Sequence, residues 1–94
     1  MSRFEGRVAV ITGAAQGIGA ATATLLAAQG ASVVVADLTA ERAGGTVEAI
    51  TTAGGAALAV GCDVADADSV QAMVQAAVDR FGSLDILVLS LIHI

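Results

Sequence analysis

Residues 8–19 read VAVITGAAQGIG, and this stretch decides the fold. A short apolar run at 8–12 leads directly into a turn at 13–19, where three of the seven residues are glycine. Glycine adopts backbone angles that other residues avoid, and it lets a ligand approach the main chain closely. When a helix follows such a turn, the N–H groups at its N-terminus favour an anion. The stretch therefore predicts a strand, a phosphate-binding turn and a helix, in that order.

The rest of the chain repeats this alternation of apolar strand and amphipathic helix. The apolar runs are short and mostly apolar on both faces, which is typical of parallel strands covered by helices above and below. We expect strands at 8–12, 32–37, 57–64 and 84–88, and helices at about 17–29, 40–53 and 70–81. Right-handed crossovers give an α/β fold, and the dinucleotide-binding pattern makes it a Rossmann-type open parallel sheet of order 3-2-1-4.

Side-chain spacing and end residues support each of the three helices. On the first helix we expect Ile18, Leu25 and Leu26 on the apolar side, and Gly30 at its end. Thr39 is expected to cap the second helix. The third helix has one apolar stripe, which contains Val70, Met73, Val74, Ala77, Val78 and Phe81.

Composition excludes several classes of partner. The 94 residues carry a net charge of -5, with four Arg and no Lys, which argues against a nucleic acid or a membrane surface as partner. No apolar run is long enough for a membrane helix, and the N-terminus does not resemble a signal peptide, so we expect a cytoplasmic protein. The single cysteine, Cys62, is expected to be buried, and we predict neither a disulfide nor a metal site.

Two acidic residues stand at the ends of the second and third strands. Asp37 could accept hydrogen bonds from the adenosine ribose of NAD and would repel the 2′-phosphate of NADP. Leu38 follows it, and the turn carries Gln16 rather than a basic residue, so NAD is favoured over NADP. Asp63 could meet the adenine amino group. The alternatives are a capping or solvated carboxylate for Asp37 and a turn residue for Asp63.

Four motifs together resemble the short-chain dehydrogenase/reductase family of NAD(P)-dependent oxidoreductases. They are TGAAQGIG at 12–19, Asp37, CDV at 62–64 and GSLDILV at 82–88. The resemblance implies hydride transfer between a nicotinamide and a small alcohol or carbonyl substrate, in a protein that is commonly a homo-oligomer. It implies that the cofactor is bound by Gly13, Gln16, Gly17, Ile18, Gly19, Asp37, Leu38, Asp63 and Val64.

The family pattern stops after Val88. An Asn-Asn-Ala-Gly segment is expected there, but the chain continues LSLIHI at 89–94. The chain also contains no Tyr and no Lys, so the family's Tyr-x-x-x-Lys pair is missing, and no catalytic residue is assigned. A lone His93 has no orienting partner in sequence, and we do not expect it to act as acid or base.

We therefore interpret 1–88 as the N-terminal part of a nucleotide-binding domain, truncated after the fourth strand, and 89–94 as a non-native tail. LSLIHI is the translation of CTGTCTCTTATACACATC, the mosaic-end sequence of a transposase-based library adapter. The hypothesis fails if codons 89–94 differ from that string. The sequence predicts a cofactor-binding half that is inactive alone; the alternative is a stand-alone nucleotide-binding or regulatory module.

Overall fold

The fold alternates strands and helices along the whole described chain. The structure is a computed structural model that describes residues 3–14 and 17–88. Its elements are β1 (Val8–Thr12), α1 (Gly17–Ala28), β2 (Ser32–Asp37), α2 (Ala40–Thr52), β3 (Ala56–Gly61), α3 (Ala67–Phe81) and β4 (Ile86–Val88). This order is the one that the sequence predicts. The proposed non-native tail at 89–94 lies outside the described residues.

The four strands form one parallel sheet with the order β3-β2-β1-β4, which confirms the predicted topology. β1 lies between β2 and β4, with Thr12 paired to Ala36 on one side and Ile11 paired to Val88 on the other. All five residues of β1 are buried, because helices cover both of its faces and strands pair with both of its edges.

Alternating side chains of the strands supply two apolar layers, one on each face of the sheet. On one face Ile11, Val33 and Val35 pack with Ala23 of α1 and with residues of α2. On the opposite face Val8, Val10, Val34 and Ala36 pack with residues of α3. The residues of α3 in this second layer are Met73 and Ala77, and Cys62 is buried there too, as expected.

Local hydrogen bonds fix the start of α2 and the end of α1. The Thr39 side chain accepts a hydrogen bond from the Arg42 N–H at 3.2 Å, which confirms it as the N-cap of α2. At the end of α1, Gly30 has φ +100° and donates to the Ala27 carbonyl, while Ala31 donates to the Leu26 carbonyl. This pair of bonds is a Schellman motif, so the predicted end at Gly30 is correct.

The predicted buried positions of two side chains of α1 were wrong. Ile18 and Leu25 were expected on the buried side of α1, but they are 87% and 61% exposed, and the buried residue is Ala23. α1 consists of Gly, Ala, Thr, Leu and Ile residues all round, so its spacing does not select one face. On α3, Val78 lies at the edge of the stripe and is 38% exposed.

The observed bounds of two strands differ from the prediction. α3 begins at Ala67, where the Asp66 carboxylate accepts a hydrogen bond from the Asp68 N–H at 3.0 Å and caps the helix. β3 ends at Gly61, before the predicted 64. β4 begins at Ile86. The preceding residue, Asp85, makes two hydrogen bonds to Val8: its N–H donates to the Val8 carbonyl, and its carboxylate accepts from the Val8 N–H, at 2.9 Å each.

No helix in the described ranges is both long and apolar enough to cross a membrane.

Two glycines in and after α2 give opposite predictions. Gly45 lies within the helix, and a Cβ there would have no atom within 4 Å. A Cβ on Gly55 would lie 2.8 Å from Cγ2 of the buried Ile50. We expect Gly45→Ala to raise the free energy of unfolding by about 0.5–1 kcal/mol, since alanine is the better helix former. Gly55→Ala should lower it by about 1–3 kcal/mol through overpacking.

Urea denaturation followed by circular dichroism measures both changes, and each variant serves as the control for the other. A stabilised Gly55→Ala, or a Gly45→Ala that is destabilised, would contradict the packing described above.

Candidate nucleotide-binding site

The carboxyl ends of β1, β2 and β3 meet at one edge of the sheet. Because the strands are parallel, Thr12 pairs with Ala36, and Asp37 pairs with Gly61. The segments that follow the three strands begin with Gly13, Leu38 and Cys62, so they leave the sheet at the same edge. Crevices at this edge, where the strand order reverses beside β1, are where open α/β sheets bind ligands.

The glycine turn after β1 has the backbone that only glycine adopts without strain. Gly13 has φ +65° and Gly17 has φ +67°, both in the left-handed region. A Cβ on Gly17 would have no atom within 4 Å, so the main chain there faces open space. Gly17 is also the first residue of α1, whose N-terminal N–H groups and dipole attract an anion.

Gly19 lets α1 approach the turn more closely than any side chain would allow. A Cβ on Gly19 would collide with the Gly13 carbonyl oxygen and would lie 2.9 Å from the Gly13 carbonyl carbon. The third glycine of the turn therefore serves helix-to-strand packing.

Asp37 presents a carboxylate at the end of β2. Its Oδ1 accepts a hydrogen bond from the Leu38 N–H at 2.8 Å and lies 3.4 Å from the Arg42 Nε. The Asp37 side chain is 10% exposed, whereas that of Arg42 is 51% exposed. Because the Arg42 side chain is half exposed, we expect this contact to orient the Asp37 carboxylate more than it stabilises the fold.

Asp63 is the second residue of the connection from β3 to α3, and its side chain closes a turn. Its Oδ1 accepts from the Ala65 N–H at 3.0 Å, and its own N–H donates to the Ser69 Oγ at 2.9 Å. These bonds agree with the alternative role for Asp63 given by the sequence, that of a turn residue. Val64 is half-buried and packs against the apolar layer beneath α3.

The remaining predicted site residues are apolar or outside the described ranges. Ile18, in the first turn of α1, is 87% exposed, and Leu38, beside Asp37, is 63% exposed. Both are therefore large apolar side chains on the surface, close to the carboxyl ends of β1 and β2. Gln16 lies outside the described residues, so its predicted contact stays a prediction.

Sequence reasoning missed two residues of α2 that reach this edge. Arg42 contacts Asp37, and the buried Thr46 donates from Oγ1 to the Ala14 carbonyl at 2.8 Å. Thr46 follows Ala43 and precedes Ile50 in the buried row of α2. A polar residue in that row was the available signal, but its partner is 32 residues away in sequence.

Across residues 3–14 and 17–88, no group of three or more His, Cys, Asp or Glu side chains could hold a metal ion.

Sequence and structure comparisons agree on the class of protein. The family model described as short chain dehydrogenase matches residues 7–90. An uncharacterized oxidoreductase of Methylorubrum extorquens is 54% identical over 89 residues, covering 94% of this chain and 36% of its own length. A cis-4-hydroxycyclohexanecarboxylate dehydrogenase of Sinomonas cyclohexanicum is 56% identical over 85 residues, covering 90% and 34%.

Among solved structures, a short chain dehydrogenase from Mycobacterium avium superposes with a TM-score of 0.92 at 42% identity. The match covers 97% of this chain and 36% of that one. The strand order, the glycine turn and these matches define an oxidoreductase-type nucleotide-binding fold. The chain belongs to the short-chain dehydrogenase/reductase family, and it spans about a third of the length of the curated relatives it matches.

Replacing Gly19 with alanine tests the close approach of α1 to the turn. Because the new Cβ would overlap main-chain atoms of Gly13, the first turn of α1 must shift, and we expect about 1–3 kcal/mol lower stability. The amide resonances of Gly13 and Gly17 should move. Gly45→Ala is the matched control, since it adds the same methyl group to a helix without a clash. Unchanged turn resonances in Gly19→Ala would contradict this geometry.

Proposed function

We propose that this chain forms the cofactor-binding part of an NAD-dependent dehydrogenase or reductase. The observation that carries the proposal is the adjacency of the glycine turn and Asp37 at the ends of two paired strands, with Thr12 opposite Ala36. In a dinucleotide the pyrophosphate and the adenosine ribose are neighbours. A phosphate-binding turn beside a carboxylate is therefore the arrangement that such a ligand requires.

The turn fits a pyrophosphate in three respects. Gly13 and Gly17 have main-chain angles in the left-handed region, and Gly17 faces open space. The N-terminus of α1 begins in the turn and supplies a favourable dipole for the anion. We assign pyrophosphate binding to the main chain of Gly13, Gln16, Gly17, Ile18 and Gly19.

The ribose and adenine would lie further along the same edge. We assign the ribose hydroxyls to the Asp37 carboxylate, which the Leu38 N–H and Arg42 already orient. Asp63 and the Val64 main chain are assigned to the adenine, and Leu38 supplies apolar surface beside it. Asp63 can serve this role while it closes its turn, because a carboxylate accepts several hydrogen bonds.

NAD is proposed over NADP because of charge. A 2′-phosphate would lie where the ribose hydroxyl meets Asp37, and like charges at that distance repel. Arg42 offsets part of this repulsion, since it lies 3.4 Å from the same carboxylate. The preference should therefore be a matter of degree.

The whole protein is proposed to transfer a hydride between the nicotinamide, which supplies the redox chemistry when bound, and a small alcohol or carbonyl compound. Family membership supports the reaction, and the dehydrogenase from Sinomonas cyclohexanicum is named for a hydroxylated substrate. A cytoplasmic homo-oligomer is part of the same proposal. A stand-alone nucleotide-binding or regulatory module without catalysis is the second candidate.

Asp37→Asn tests the cofactor preference. The amide still accepts a hydrogen bond from a ribose hydroxyl but no longer repels a phosphate. We expect NADP affinity to rise about tenfold relative to NAD affinity, a change of about 1.4 kcal/mol, when both are measured by calorimetric titration. Asp79→Asn is the matched control, since it removes the same charge from the exposed face of α3. An unchanged affinity ratio in Asp37→Asn would exclude Asp37 from the ribose site.

The purified 94-residue chain should form no NADH from NAD and an alcohol, because it lacks the Tyr and Lys that would move the proton. Absorbance at the NADH wavelength measures this, with a full-length family enzyme as the positive control. NADH formation that depends on both alcohol and chain would show that the catalytic groups are other than those expected.

A further inference from the structure

A side chain of α2 is bonded to the main chain of the glycine turn. Thr46 Oγ1 donates to the Ala14 carbonyl oxygen at 2.8 Å, and both residues are buried. Ala14 is the residue after Gly13, inside the turn proposed to bind pyrophosphate. This contact ties a helix that covers the sheet to the ligand-binding edge.

Ala14 is held by main chain as well. Its N–H donates to the Ala36 carbonyl of β2 at 3.0 Å, while its carbonyl accepts from Thr46. The turn is thus fixed on one side by the neighbouring strand and on the other by α2. Since Ala14 is fully buried, its carbonyl oxygen faces protein rather than solvent.

The hydroxyl of Thr46 is not needed to fill space. In the described ranges only two polar side chains are buried, Thr12 and Thr46, and both adjoin the glycine turn. Valine has nearly the shape of threonine and would pack in the same apolar layer without a polar atom. The hydroxyl gives the buried Ala14 carbonyl a hydrogen-bond donor, and a buried carbonyl without such a partner is costly.

The orientation of this carbonyl bears on anion binding. A carbonyl oxygen carries partial negative charge, and one turned toward the ligand would repel a pyrophosphate. Without the Thr46 hydroxyl, the Ala14 carbonyl would recover a partner by turning toward water at the open side of the turn. That movement would place negative charge where the anion is to bind.

We propose that Thr46 is a positioning residue for pyrophosphate binding, which it supports by holding the Ala14 carbonyl in the protein interior. This inference rests on the proposed function. It assigns to α2 a part in recognising the phosphates, although α2 itself follows β2 and contributes no residue to the glycine turn.

The test compares a ligand that contains pyrophosphate with one that lacks it. ADP-ribose and adenosine are titrated into the isotope-labelled 94-residue chain, and their dissociation constants are read from amide chemical shifts. The ratio of the two constants is the measured quantity. Both ligands require folded chain, so a variant that is partly unfolded changes both constants by the same factor and leaves the ratio intact.

Thr46→Val should weaken ADP-ribose binding about tenfold while adenosine changes by less than about twofold. Thr46→Ser keeps the hydroxyl and should retain the wild-type ratio. Thr51→Val is the matched control: Thr51 is an exposed residue of the same helix, and its hydroxyl donates to the Val47 and Glu48 carbonyls within α2.

An unchanged ratio in Thr46→Val overturns the proposal, and so does an equal loss in Thr46→Ser or Thr51→Val. If the wild-type chain binds adenosine and ADP-ribose equally well, the pyrophosphate site of the proposed function fails, and the inference about Thr46 fails with it. A wild-type preference for ADP-ribose that survives in Thr46→Val overturns only the role of Thr46.

Discussion

The central position of β1 is the constraint on which the rest of the structure depends. Its main chain pairs with β2 on one side and β4 on the other, and all its side chains are buried. A strand held in this way cannot shift along its axis without moving every apolar side chain to a wrong position. The residue that follows it, Gly13, therefore leaves the sheet at a fixed point.

The site is assembled from short segments whose positions are set by hydrogen bonds between different elements. The Cys62 N–H donates to the Asp37 carbonyl at 2.7 Å, and the Ala14 N–H donates to the Ala36 carbonyl at 3.0 Å. Each bond joins the segment after one strand to the end of its neighbour. These bonds fix the main chain of Ala14 and Cys62 relative to β2, and under the proposed function such preorganisation would limit the entropy lost when the cofactor binds.

Local pattern was enough to predict the strands and the glycine turn, because β-branched runs and glycine spacing act over a few residues. The strand order β3-β2-β1-β4 was predicted from the dinucleotide-binding pattern, since local sequence does not specify which strands pair. It was not enough for α1, where apolar residues on every side left the buried face undetermined and Ile18 proved exposed. Thr46 was missed for another reason. Its importance comes from an acceptor 32 residues earlier, and only the packing of α2 against the turn brings the two together.

The pairing of β1 with β4 also governs when this fold can form. The bond between the Val8 N–H and the Asp85 carboxylate joins residues 77 positions apart, and the last described segment of the chain supplies the second neighbour of β1. During synthesis on the ribosome, β1 can pair with β2 early but keeps one bare edge until β4 emerges. Such long-range closure slows folding, and a nascent chain passes through an interval in which one edge of the buried strand β1 is open to wrong partners.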